Sequence, residues 1–384
     1  MRKYLIIVVL ILGGIWQLTA GRQTMGNRVL FGENTTRMPV CDSNTVRVFM
    51  DKNGDYYPPG IFINDNTLYK SGGALRDWYR QNPGSFDTIC TKFGIPAISN
   101  INDRVALLNK KICLRFADLL NQQSGKQLFM LVHGFRKRAY DKPDLFTYLA
   151  TTDNEILKKT ISNMTPGNNN IYIEIYWDAC YFKPAKALKD EGFIIFRDQA
   201  VENANNVGLA LRQFVTDLNT RDLNIVTHSL GARVACNILF NLTSAATLYP
   251  MIPTDKKVKT CFIAPAIGSG LFENFYQRSR AGLPVPNPDN YEICVAYNRY
   301  DYLLRKEGRI LGITFSNRGA TAFANTSLGC DYNNDIKKLQ DMFAAQFRST
   351  KPPLMVDVTA GKSMMNHLVK SYCNNPKFRN LKWF

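Results

Sequence analysis

Histidine is nearly absent from this chain of 384 residues: only His133, His228 and His367 occur. There is no Cys-x-x-Cys pair and no His/Cys cluster at ligand spacing, so no metal and no cofactor are expected. Also missing is an apolar run of the ~20 residues that a membrane-spanning helix needs, and there is no internal repeat or low-complexity tract. Acidic residues are outnumbered, 31 Asp+Glu against 48 Lys+Arg, which leaves a net charge of +17 and favours anionic partners. No Lys/Arg block interleaved with aromatics occurs, however, and no zinc-finger spacing, so no nucleic-acid partner is expected. What remains of the charge signal is a diffuse basic surface, with weak contact to an acidic membrane surface as its one functional reading.

Hydrophobic residues are 45% of the chain and aromatics 12%, enough for a large buried core. At the N-terminus, Arg2 and Lys3 precede an apolar run from residue 4 to 12, and Leu18-Thr19-Ala20-Gly21 supplies small residues where a signal peptidase cuts. This pattern predicts a signal peptide over residues 1–20 and an exported chain, periplasmic or secreted. An uncleaved membrane anchor is the alternative. Nine cysteines are scattered along the chain; Cys236, Cys261 and Cys294 sit in apolar runs and read as small buried hydrophobes. The odd number leaves at least one thiol without a partner in the chain and the pairing of the loop cysteines open.

Residues 21–100 read as an N-terminal extension with a β-hairpin. Residues 45–50 alternate as a strand, Asp51-Lys52-Asn53-Gly54-Asp55 turns, and Tyr56-Tyr57 returns before Pro58-Pro59. The same turn resembles the opening of a calcium loop, but Tyr56 stands where glycine is needed and no Glu closes it. Beyond residue 100 the pattern changes. Val105, Leu108, Ile112, Phe116 and Leu119 share one face of a helix over 101–122, and a second helix is expected over 202–219. Apolar strands are expected at 128–132, 170–177, around Ile225-Val226, and at 258–267, 291–297 and 352–358. Continuous apolar strands alternating with amphipathic helices predict an α/β fold: a mostly parallel, twisted sheet with helices on both faces.

The chemistry is concentrated in residues 223–233, Leu-Asn-Ile-Val-Thr-His-Ser-Leu-Gly-Ala-Arg. An apolar run stops at His228-Ser229-Leu230-Gly231 and a helix rich in small residues follows. This is how a sharp strand–turn–helix bend with an exposed serine hydroxyl reads. The G-x-S-x-G pattern of such bends is met except at Thr227, where the first glycine is missing. A serine hydroxyl becomes a useful nucleophile when a histidine removes its proton, and that histidine needs a carboxylate to hold its tautomer. His133 and His228 close their strands in structural positions, which leaves His367, a short loop beyond the last strand, as the base. Asp301 follows the strand at 291–297 and is the preferred carboxylate. Glu273, after the preceding strand, and Asp357, inside the last one, are alternatives.

These residues resemble the α/β-hydrolase superfamily of serine esterases and lipases over roughly residues 100–384. Leu131-Val132-His133-Gly134-Phe135 is similar to the segment after that family's third strand. Tyr176-Trp177-Asp178 and His228-Ser229-Leu230-Gly231-Ala232-Arg233 are similar to motifs of bacterial hydrolases of poorly defined function. Where many of those relatives carry Asp after Ala-Pro, this chain has Ala266. The resemblance implies an α/β-hydrolase catalytic domain over 101–384, a Ser229-Asp301-His367 triad, and an oxyanion hole built from the backbone N–H groups of Phe135 and Leu230. It implies cleavage of a small-molecule or lipid carboxylic ester through an acyl-enzyme. A peptidase or thioesterase would use the same triad, and a non-catalytic binding protein on the same scaffold is a further reading. Insertions at 136–168 and 302–350 fall where a lid would sit, with Tyr302–Leu304, Phe315 and Phe323 as its apolar residues.

Overall fold

Strands without a polar face have nowhere to stand except in the middle of a sheet covered on both sides. The computed structural model describes residues 41–42, 44–61, 63, 73–97, 100–123, 125–139, 145–167, 169–183, 196–219, 222–240, 255–272, 287–301, 304, 307–310, 313–316, 327–331, 334–359 and 369–384. The elements follow in the order β1 (Cys41–Asp42), β2 (Thr45–Met50), α1 (Leu75–Gln81), α2 (Pro83–Lys92), α3 (Ile101–Asn121), β3 (Gln127–Val132), β4 (Arg136–Ala139), α4 (Leu145–Met164), β5 (Asn170–Trp177) and β6 (Cys180–Lys183). Then come α5 (Val201–Asp217), β7 (Asp222–His228), α6 (Gly231–Leu239), β8 (Lys257–Ile263), β9 (Tyr291–Tyr297), β10 (Glu307–Ile310), β11 (Ile313–Ser316), α7 (Asp335–Asp341), β12 (Leu354–Asp357), α8 (Val369–Cys373) and α9 (Pro376–Arg379).

Eight strands form one sheet in the order β1-β2-β5-β3-β7-β8-β9-β12. All neighbours are parallel except the short β1, which is antiparallel to β2. The chain is therefore an α/β protein with a mostly parallel sheet. The crossover β3–α4–β5 runs towards β2, whereas β5–α5–β7 and β7–α6–β8 run towards β12. Right-handed crossovers put α4 on one face and α5 and α6 on the other. The packing agrees: α4 touches α8 and α9, while α5 touches α3 and α6.

Residues 45–57 belong to the same sheet and core as the rest. β2 pairs with β5 from Thr45↔Tyr172 to Met50↔Trp177, and Tyr56 and Tyr57 are buried. The expected return strand is a single antiparallel bridge, Met50↔Tyr56, with the Tyr57 N–H donated to Phe49 O at 2.9 Å; Pro58 has no N–H to extend it. The turn holds its own carboxylates. Asp51 accepts the N–H groups of Asn53, Asp55 and Leu75, and Asp55 accepts from Arg76 and Asn109. Burial and the Asp55 charge push the Asp51 carboxyl up to about 8.

Strand and helix ends follow local chemistry. The strand expected within 258–267 ends at Ile263, where Ala264 takes a left-handed φ of 48° and Pro265 follows. The helix expected over 101–122 is α3, capped by the Asn100 side chain accepting the Asn102 N–H at 2.9 Å. Seven cysteines among the described residues are buried. The proposed signal segment lies outside the described residues. Among the described residues no helix is long and apolar enough to cross a membrane.

Candidate active site

The connection after β3 runs to β5 on one side, and the connection after β7 runs to β8 on the other. Their strands are neighbours, so the two connections part at the carboxyl ends of β3 and β7. Open parallel sheets bind ligands at such a switch point. Ser229, after β7, and Gly134, after β3, meet there.

Ser229 links the last residue of β7 to the first turn of α6 at φ 52°, a left-handed conformation that a non-glycine residue adopts at a cost of ~1–3 kcal/mol. Main-chain bonds hold it there. Its N–H is donated to Ile263 O at 2.9 Å, and its carbonyl accepts the N–H of Ala266 at 3.0 Å and of Ala232 at 3.2 Å. Ala264 repeats the pattern one strand along, donating its N–H to Ala296 O at 2.9 Å. Ala266, in the place where an acid was a candidate by resemblance, is a buried support for the Ser229 main chain. Thr227, in the place of the missing glycine, is an ordinary buried strand residue opposite Val132 and Phe262. The bend needs no glycine there because the left-handed residue is Ser229 itself.

Gly134 is where glycine is required. A Cβ on it would stand 2.7 Å from Ser229 Cβ, 2.8 Å from His228 O and 3.3 Å from Ser229 Oγ, so only a bare backbone brings this loop against the serine. The loop is shaped by an offset in the sheet. β3 and β5 are paired up to Val132↔Ile175, and the pairing resumes as β4 and β6 from Arg136↔Cys180. Four steps on one strand face five on the other, a bulge of one residue at the site. Its residues are pinned by His133, whose Nε2 accepts the Trp177 N–H at 3.2 Å and whose carbonyl accepts the Trp177 indole N–H at 3.0 Å. That leaves the proton on Nδ1, which donates to Gly134 O at 3.0 Å. Both ring nitrogens of His133 are thus committed to the main chain.

Leu230 is fully buried at the N-terminal end of α6, and Phe135 is half-buried with its ring edge-on to Phe196 at 5.5 Å. Neither residue's N–H has a main-chain acceptor among the described residues. His228 is buried with Nδ1 4.0 Å from Asp153 Oδ2. Asp178 lies just past β5, and burial pushes its carboxyl up to about 7 against the pull of Lys52.

Asp301 is fully buried on the turn after β9. Its N–H is donated to Asn298 O, its Oδ1 accepts the Leu304 N–H at 3.2 Å, and its Oδ2 accepts the Tyr372 hydroxyl at 3.3 Å. Main-chain bonds tie this turn to the serine's supports: Asn298 N–H to Gly329 O, Gly329 N–H to Pro265 O, and Leu328 N–H to Ile267 O. Of the alternative acids, Asp357 is turned to the Thr359 N–H and to Arg299, 3.8 Å away, and Glu273 lies outside the described residues. So does His367. On either side of it, the Val358 N–H is donated to Tyr297 O, and α8 brings Tyr372 to Asp301. Of the expected lid residues, Leu304 is buried, Phe315 falls in β11 of the β10–β11 hairpin, and Tyr302, Leu303 and Phe323 lie outside the described residues. Among the described residues no group of three or more His, Cys, Asp or Glu is placed to hold a metal ion. Comparison of the chain with family models, with curated proteins and with solved structures finds no match.

Proposed function

We propose that this chain is a serine hydrolase of the α/β-hydrolase type that cleaves carboxylic esters. The observation that carries the proposal is Ser229: a serine held at φ 52° on a strand-to-helix turn, at the switch point of a parallel sheet, with a glycine pressed against it. A fold keeps a strained non-glycine residue when its surroundings enforce it, and such strain clusters at reactive sites.

In this reading His367 takes the Ser229 proton as Oγ attacks the ester carbonyl carbon. Asp301 holds the imidazole in the tautomer that accepts at the nitrogen facing the serine. The N–H groups of Leu230 and Phe135 receive the developing oxyanion, and the first turn of α6 adds the positive end of its dipole. The imidazolium protonates the departing alcohol, and water, deprotonated by the same histidine, releases the acid from the acyl-enzyme. His133 is excluded as the base because both its nitrogens are engaged. A panel of short and long acyl esters tests the reading. The full chain should hydrolyse at least one class of them, Ser229→Ala and His367→Ala should each lose ~10³-fold or more in kcat, and full activity in His367→Ala would contradict the assignment of the base.

A further inference from the structure

We propose that Tyr372 is a positioning residue for the acid of this site: its buried hydroxyl, donated to Oδ2, fixes the orientation of the Asp301 carboxylate. The proposal rests on the hydrolase reading above. Tyr372 is fully buried in α8, and Asp301 Oδ2 is the one acceptor its hydroxyl has among the described residues. The 3.3 Å separation is longer than the ~2.7–2.8 Å usual for O–H···O. In a site shielded from water it still weighs heavily, because neither group has a solvent alternative. Burial, and next the charge of Asp301, hold the Tyr372 hydroxyl well above its ordinary pKa, so it stays a proton donor across the working range.

The geometry explains why a tyrosine is useful there. A buried carboxylate that must hold a histidine with one oxygen needs donors for its remaining lone pairs. Leu304 N–H serves Oδ1 and the Tyr372 hydroxyl serves Oδ2. Tyr372 stands five residues after His367 in the sequence. The other titratable group acting on Tyr372 is Cys330, from the turn at 327–330. Arg299, on the same turn as Asp301, is directed to Asp331, Asp357 and the Tyr297 ring.

Tyr372→Phe removes the hydroxyl and keeps the ring, so the helix retains its packing. In the full chain, kcat on a reactive ester should fall about tenfold with KM nearly unchanged. The acidic limb of kcat/KM should move to higher pH, because a carboxylate that has lost a donor is easier to protonate and concentrates its charge on the histidine. In an Asp301→Asn background the same substitution should cost little more, the non-additivity expected of groups that act through one another. A Tyr372→Phe enzyme with an unmoved acidic limb, or losses that simply multiply with Asp301→Asn, would overturn the positioning role and leave the hydrolase reading standing. A wild-type chain that neither hydrolyses esters nor reacts with a fluorophosphonate would overturn both. Urea unfolding tests the contact itself whatever the activity: the stability gap between wild type and Tyr372→Phe should narrow as pH falls and Asp301 is protonated, and a gap independent of pH would show that the hydroxyl does not serve the carboxylate.

Discussion

A methyl group on residue 134 would have to share space with Ser229 Cβ at 2.7 Å and His228 O at 2.8 Å, two partners that cannot move without undoing the bend. Gly134→Ala should therefore cost at least ~10²-fold in kcat/KM, because the oxyanion donors are displaced relative to the serine, while unfolding stability falls by only ~1–3 kcal/mol. Steady-state kinetics and urea unfolding of the same preparation separate the two, and an active Gly134→Ala enzyme would mean that this loop does not form the site. Asp178 makes a different kind of statement. Its folded value of about 7 lies above the ~3.9 of an exposed aspartate, so the folded state holds an extra proton between those values. Stability is then full near pH 4, falls as pH rises through that window, and levels off above it. Asp178→Asn, which never ionises, should be more stable than wild type by roughly 4 kcal/mol at pH 8 and indistinguishable from it near pH 4. A gap that is the same at both pH values would show that Asp178 does not titrate with folding. At this scale the bend at Ser229 was legible in the sequence, because an apolar run that halts at a small polar residue and resumes as a helix leaves few other readings. Ala264 and Tyr372 were not, because their roles come from contacts with residues 32 and 71 positions away, and neither was Asp178, whose shift comes from burial in the folded chain; no local pattern encodes those.

Helix α6 is held at both ends by groups from elsewhere in the chain. At its start lies the Ser229 bend. At its end the buried guanidinium of Arg212, from α5, donates through Nε to Asn237 O at 2.7 Å and also to Phe240 O, closing carbonyls that the helix itself leaves open. Arg212→Met, which keeps the bulk and removes the donors, should lower stability by ~2–4 kcal/mol, measured as a shift in the urea midpoint at constant slope; a shift below ~0.5 kcal/mol would show that these carbonyls find other donors. The core strands were legible because buried parallel strands are apolar along most of their length: β5 and β9 span the residues expected of them. The small paired elements were not. β4, β6, β10 and β11 mix polar and apolar residues over four positions each, and what makes them strands is the partner each one pairs with.

For the molecule as a whole, the order of the strands matters more than their number. The reversal between β3 and β7 makes the switch point, and Ser229 and Gly134 meet at it. The sequence predicted a parallel sheet from composition and periodicity, but strand order depends on which crossovers turn which way. For the same reason β2, read as part of an extension, stands in the sheet beside β5: an alternating strand gives no sign of the edge it will join. The central claim, that this switch point carries a reactive serine, is tested most directly by treating the full chain with a fluorophosphonate and mapping the adduct by mass spectrometry. The account predicts one adduct per chain, on Ser229, absent from Ser229→Ala and much slower to form in His367→Ala. No adduct on the folded wild-type chain, or an adduct on a different residue, would contradict it.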